Sequence, residues 1–154
     1  MSACLIGSAP GTFSSRVAEA AAALNGLTGQ VSTRRADAFE LLAELAALGE
    51  RFDVVVCDPP AFTKSRKDAE AGLRAYGRLA RLVAAVVAPG GCLFISSCSH
   101  HAPLDAWAAQ VAHGLHRARR EGRILASTGA GPDHPVHPHL PETAYLKAQL
   151  IQLV

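Results

Sequence analysis

The sequence predicts an α/β fold: a mostly parallel sheet flanked by helices, with the last strand turned antiparallel. Three observations predict it. Short apolar runs alternate with longer helical patterns, the signature of a parallel sheet. Two of those runs, Asp53 to Cys57 and Cys92 to Ser96, are apolar nearly throughout, as strands buried on both faces are. The alternation breaks at the end, where Arg123 to Ser127 and Ala144 to Leu153 are joined by a loop without a helix.

The elements follow in order. Ala3 to Ile6 reads as a short strand, and Gly7 to Ser15 as a Gly, Ser and Pro loop. Val17 to Leu24 is an alanine-rich helix that Asn25-Gly26 stops. Gln30 to Arg34 reads as a modest strand. Asp37 is placed to cap the helix Ala38 to Leu48, in which Phe39, Leu42, Leu45 and Ala46 share a face. The strand Asp53 to Cys57 runs into Asp58-Pro59-Pro60-Ala61-Phe62. A charged, mobile segment is expected from Thr63 to Gly72. The helix Leu73 to Val87 then ends at Ala88-Pro89-Gly90-Gly91. After the strand Cys92 to Ser96 comes Ser97-Cys98-Ser99, and a helix from Asp105 to Arg120 is entered through Pro103. Trp107 reads as packing within that helix's inner face. The loop Gly129 to Pro141 is long for a compact domain, which marks it as a candidate functional segment.

With 154 residues, 49% of them hydrophobic, the chain reads as one domain over 1–154 with a substantial core. A net charge of +2 neither demands nor excludes a nucleic-acid partner. Cys4, Cys57, Cys92 and Cys98 form no C-x-x-C pair, so neither a zinc ribbon nor a thioredoxin motif is expected. A reduced, cytoplasmic protein is the expectation. No stretch approaches the ~18–20 apolar residues of a membrane span, and the start lacks the basic region of a signal peptide. Asp133, His134, His137 and His139 can be drawn as a metal site, but Pro135 and Pro138 fix the chain without convergence of ligands, and no metal is expected. The run Arg117, Arg119, Arg120, Arg123 reads as a solvated helix end.

Chemistry is expected at two strand ends. In a parallel sheet Asp58 and Cys98 face the same edge, the edge where α/β sheets bind ligands. The two prolines stiffen the loop after Asp58, because each fixes its own φ and biases the residue before it away from helix. Such a loop suits a planar substrate. Cys98 has two readings: a nucleophile beside that clamp, or a thiol packed under the following helix.

Four motifs carry a resemblance: Asp58-Pro59-Pro60-x-Phe62, Ser97-Cys98-Ser99 after Gly90-Gly91-Cys92-Leu93, Asp133-His134-Pro135-Val136, and Glu142-Thr143-Ala144-Tyr145-Leu146-Lys147. In this order they resemble the catalytic domain of the class I S-adenosylmethionine-dependent RNA methyltransferases, specifically those similar to the bacterial 23S rRNA cytosine-5 methyltransferase. The likeness runs from about Val17 to the C-terminus. It implies a Rossmann-like sheet ending in an antiparallel hairpin, S-adenosylmethionine as cofactor, and RNA, 23S rRNA in particular, as partner. Cys98 would attack carbon 6 of a cytosine so that carbon 5 accepts the methyl group, a step that needs the base out of its stack. Asp58 would stand near both methyl donor and base. Asp37 and Ala38 would join Asp58 and Pro59 around the cofactor; for Asp37 the helix cap is an equal reading, and both hold only if its two oxygens divide the work. Pro60, Phe62 and Lys64 would meet the substrate, Phe62 by stacking on or lining the base and Lys64, with Arg66 and Lys67, at phosphates. A solvated loop is the alternative for those three cations.

The front departs from the family. Gly7-Ser8-Ala9-Pro10-Gly11 fits the end of the family's second strand, yet the ribose-gripping acid expected there is absent before Glu19. The first strand and its glycine loop are therefore expected to be missing, and the domain N-terminally truncated. Losing that strand would expose two strand edges or force the neighbours together. A homodimer or a separate N-terminal partner segment would be a way to complete it. The rival to an enzyme is a non-catalytic α/β binding module that has lost the cofactor. A third reading keeps methyl transfer but directs it to a guanine amino group or a non-RNA substrate.

Overall fold

The computed structural model describes residues 2–7, 12–63 and 65–154. Their elements are β1 (Ala3–Gly7), α1 (Thr12–Leu24), α2 (Ala38–Ala47), β2 (Phe52–Asp58), α3 (Ala69–Ala84), β3 (Val87–Ser97), α4 (Leu104–Arg117), β4 (Gly122–Thr128) and β5 (Lys147–Leu153), with short 3-10 turns at Arg66–Asp68 and Pro141–Thr143. The five strands lie in the order β1-β2-β3-β5-β4. β1, β2 and β3 pair in parallel, and β5 runs antiparallel between β3 and β4. The predicted α/β class and the reversed last strand are both present.

The gap expected at the front is closed. β1 hydrogen-bonds directly to β2, with Leu5 opposite Val56 and Gly7 opposite Asp58. The strand expected at Gln30 to Arg34 does not form. Nothing among the described residues pairs beyond β1, so that segment has no neighbouring strand. Its side chains serve helices instead: Thr33 Oγ1 donates to Glu19 at 2.5 Å, and Arg34 meets Glu44 at 2.6 Å.

One sheet face carries the core. Val55, Leu93 and Ile151 share a cross-strand row and are buried with Leu42 of α2, Tyr76, Leu79 and Val83 of α3, and Trp107 and Val111 of α4. Burying each such side chain contributes about 1.5–3 kcal/mol. The neighbouring row, Leu5, Val56, Phe94 and Leu150, points to the opposite face and is only partly covered, Leu5 being 75% exposed.

α3 starts earlier than expected, so the segment read as mobile is largely a 3-10 turn and the first turn of a helix. It also ends earlier. Ala88 to Gly91, expected as a loop, lies inside β3, where the register slips between the pairs Phe52–Val87 and Val54–Cys92. Gly90 takes a φ of 76°, and a Cβ on Gly91 would stand 2.8 Å from the Asp53 carbonyl oxygen. Only glycine suits that excursion.

The basic run is not wholly solvated. The Arg120 guanidinium donates to the carbonyls of Ala84, Val87, Ala88 and Val154, which ties the end of α3 and the start of β3 to the chain end. Arg119, at the exit of α4, has a φ of 56°.

Candidate active site at the ends of β2 and β3

Asp58 ends β2 in an exposed position, and Ser96 on β3 donates to its Oδ1 at 2.5 Å. Pro59 behind it is buried and Pro60 is exposed, so the double proline has one ring in the body and one at the surface. The loop returns inward at Thr63. Its backbone N–H donates to Ser99 Oγ at 3.2 Å.

That bond joins a buried hydroxyl network. Ser97 Oγ donates to the Tyr76 hydroxyl at 2.8 Å, and the Tyr76 hydroxyl lies 2.8 Å from Ser99 Oγ. The Ser99 amide donates back to Ser97 Oγ at 3.1 Å. Tyr76, Ser97 and Ser99 are each 0% exposed. Buried hydroxyls need partners, and these supply one another. A consistent relay runs from Ser97 to Tyr76 to Ser99, with Thr63 also donating to Ser99. Half-buried Cys98 sits between the two locked serines. Asp58 and Cys98 therefore occupy one sheet edge, and Tyr76 of α3 ties the loop of one to the turn of the other.

Phe62 does not stand free at the edge. Its ring packs on Tyr76 with centroids 4.8 Å apart and on Phe39 at 6.0 Å, and Arg78 lies over the Phe39 ring at 4.8 Å. This aromatic row, which Trp107 extends beyond Tyr76, clamps the loop to α2 and α3. Gly72 allows the approach: a Cβ there would meet Thr63 Cγ2 at 2.4 Å and the Phe62 carbonyl oxygen at 2.7 Å. The Phe39–Phe62 contact also brings the first turn of α2 beside the loop. There Asp37 Oδ1 accepts from the amides of Phe39 and Glu40 at 2.9 and 3.1 Å. Both cap bonds use Oδ1, and Oδ2 has no partner among the described residues. Asp37 and Ala38 stand at the start of α2, and Asp58 and Pro59 at the end of β2. Lys64 and residues 8–11 of the glycine-bearing loop lie outside the described residues. Arg66 and Lys67 are exposed in the 3-10 turn.

Two site residues escaped the sequence reading. Tyr76 reads as one apolar residue in a helix; the signal was that a buried tyrosine hydroxyl demands a partner. Lys147 reads as part of a motif. It is 8% exposed, pairs across the sheet with Ser97, and its Nζ donates to the carbonyls of Ser99 and Tyr145 at 2.9 Å each. A cleft of about 310 Å³ opens beside it, lined by His100, Ser127, Thr128, Tyr145 and Lys147 among others. His134 packs edge-on against Tyr145 at 5.6 Å, and the His139 amide donates to His137 Nδ1 at 3.2 Å. All four cysteines are free thiols, and burial, with Asp58 and Cys4 adding to it, pushes Cys57 up to about 12.

No helix among the described residues is long and apolar enough to cross a membrane. The α/β architecture is a Rossmann-like one shared with several solved structures. SMU.776 complexed with SAH superposes with a TM-score of 0.79 at 15% identity, covering 98% of this chain and 45% of that one. NSun6 from Pyrococcus horikoshii with SFG gives 0.61 at 15% identity, covering 98% and 47%.

No family model matches the chain. In sequence it is similar to a ribosomal RNA large subunit methyltransferase of Deinococcus radiodurans, 37% identical over 121 residues, which is 79% of this chain and 29% of that protein. It is also similar to ribosomal RNA large subunit methyltransferase I of Aeromonas hydrophila, 35% identical over 137 residues, or 88% and 34%. The chain spans about a third of the length of these curated relatives.

Proposed function

We propose that this chain carries the substrate-side chemistry of an S-adenosylmethionine-dependent RNA methyltransferase, acting on carbon 5 of a cytosine in 23S rRNA through a covalent Cys98 adduct. The observation that carries the reading is the placement of Cys98 between two locked serines, on the same sheet edge as Asp58. The likeness to ribosomal RNA large subunit methyltransferases supports RNA as the substrate class.

The residues fit the cofactor on one side. Asp37 Oδ2 has no partner among the described residues and suits an amino donor; Ala38, Asp58 and Pro59 would complete the cofactor side. S-adenosylmethionine supplies a methyl group activated on a sulfonium. Cys98 adds to carbon 6: the sulfur–carbon bond forms, the carbon 5–carbon 6 π bond breaks, and its electron pair makes carbon 5 nucleophilic. After methylation, the carbon 5 proton passes to water, its bonding pair restores the double bond, and the Cys98 sulfur leaves carbon 6 with the sulfur–carbon pair. Asp58 orients the base by hydrogen bonding, itself held by Ser96. Phe62 serves by anchoring the loop, since its ring is already engaged by Tyr76 and Phe39.

The test is methylation of a 23S rRNA transcript with labelled S-adenosylmethionine. Cys98→Ala is expected to abolish transfer. Full activity in that variant excludes the covalent mechanism. Isothermal titration with S-adenosylmethionine tests the cofactor side separately, and no binding by folded chain overturns the enzyme reading for this chain alone.

A further inference from the structure

We propose that Lys147 is the counter-charge of the Cys98 sulfur, an ammonium held in the sheet so that the sulfur is ready as an anion to attack an electron-poor ring carbon. The inference rests on Cys98 being the nucleophile of the proposed reaction, and it assigns the means by which that nucleophile is activated.

The geometry carries it. Lys147 is the first residue of β5 and pairs with Ser97, so its side chain rises at the strand end where the Ser-Cys-Ser turn begins. Its Nζ binds the carbonyl oxygen of Ser99, the residue directly after Cys98. An ammonium has three N–H donors. Two are taken by the carbonyls of Ser99 and Tyr145, and the third has no partner among the described residues. No carboxylate pairs with it there either. A buried lysine without a counter-ion is costly, and such groups are found where a charge is needed.

The other titratable groups at the turn are Asp58, Tyr76, His100 and His101. Asp58 reaches it from β2 through Ser96, and Tyr76 from α3 binds the two serines. His100 and His101 lie in the turn and pack edge-on against each other. Burial lowers the Lys147 pKa, and Cys98 acts in the opposite direction.

Alkylation with iodoacetamide reads the sulfur directly, needing neither RNA nor cofactor. The thiol proton goes to solvent, the sulfur–carbon bond forms, and iodide leaves with its electron pair. Rates are taken peptide by peptide on the full chain by mass spectrometry. Fully buried Cys57 reports folding. Lys147→Met is expected to slow Cys98 alkylation at neutral pH by ~10-fold with Cys57 still protected, the order expected when an adjacent opposite charge is removed. Lys147→Arg is expected to stay within ~3-fold of the parent, because it keeps the charge. Unchanged Cys98 reactivity in a folded Lys147→Met overturns the inference. If that variant exposes Cys57, the parent protein decides. Its Cys98 alkylation must rise with pH earlier than that of the same cysteine in the urea-unfolded chain, and a rise at the same or higher pH overturns the proposal. Failure of the covalent mechanism shows instead as full methylation by Cys98→Ala, an outcome independent of the alkylation rates.

Discussion

Tyr76→Phe removes one oxygen atom from the centre of the site. The ring stays in its row between Phe62 and Trp107, so packing is retained and only the hydroxyl is lost. Two hydrogen bonds go with it, to Ser97 and to Ser99. Each contributes about 1 kcal/mol net, and a buried hydroxyl left without a partner costs about 1–3 kcal/mol. Ser97 loses its acceptor but keeps the Ser99 amide as donor, and Ser99 keeps the Thr63 amide. The expected destabilisation is ~2–3 kcal/mol. For a domain of this size that corresponds to a fall in Tm of roughly 5–10 °C. Urea unfolding and calorimetry measure it. The relay also predicts coupling: Tyr76→Phe and Ser99→Ala together should cost less than the sum of the two by at least ~0.5 kcal/mol. A Tyr76→Phe loss below ~0.5 kcal/mol, or strict additivity with Ser99→Ala, refutes the view that this hydroxyl ties loop to turn.

Gly72→Ala places a methyl against the Phe62 carbonyl, where backbone cannot yield cheaply; a loss of ~1–3 kcal/mol by urea unfolding is expected from such overpacking. Asp37→Ala removes the helix cap at a cost of about 1 kcal/mol, whereas Asp37→Asn keeps it. Weakened S-adenosylmethionine binding by titration calorimetry in the stable Asn variant would separate the ligand role from the cap. Cys57 gives a pH signature: its folded pKa is about 12 against an ordinary 9.0, so between those values the unfolded chain binds fewer protons and stability falls as pH rises. Lys147, whose pKa burial lowers, works the other way as pH rises toward 10.5. The deficit of Cys57→Ala relative to the parent should therefore shrink by about 1 kcal/mol between pH 8 and pH 10 in urea unfolding.

The parts of this molecule that were legible share a cause. β2 and the middle of β3 are short, apolar and bounded by Pro or Gly, so local pattern and tertiary role agree. The reversal of β5 followed from a missing helix. Asp58 and Cys98 fell on one edge because parallel strands put their ends together. The strand expected at Gln30 to Arg34 failed because a strand exists only if another accepts its hydrogen bonds, and that neighbour is not a local property. β1 beside β2 is the same lesson from the other side. Phe62 reads in sequence as a ring that stacks on or lines the base; that Phe39 and Tyr76 also converge on it depends on how α2 and α3 pack, which is not a local property. Lys147 was visible as a letter in a motif, but its burial depends on which strand crosses which.

The crossing of α3 and α4 has a bearing on the chemistry that neither helix touches directly. Gly114 lies so near Gly77 that a methyl on it would stand 2.4 Å from the Gly77 carbonyl oxygen. Gly72 and Tyr76, which hold the loop and the turn, belong to the same helix as Gly77, Gly72 and Tyr76 being four residues apart and so on one face. α3 is then a common shaft: glycine sets its seat at one point, and two grips on the site ride on it. A wedge such as Gly114→Val, far in sequence from Cys98, would tilt the shaft and draw both grips away together. The spacing between Asp58 and Cys98 is thereby set from beneath the sheet edge as well as along it.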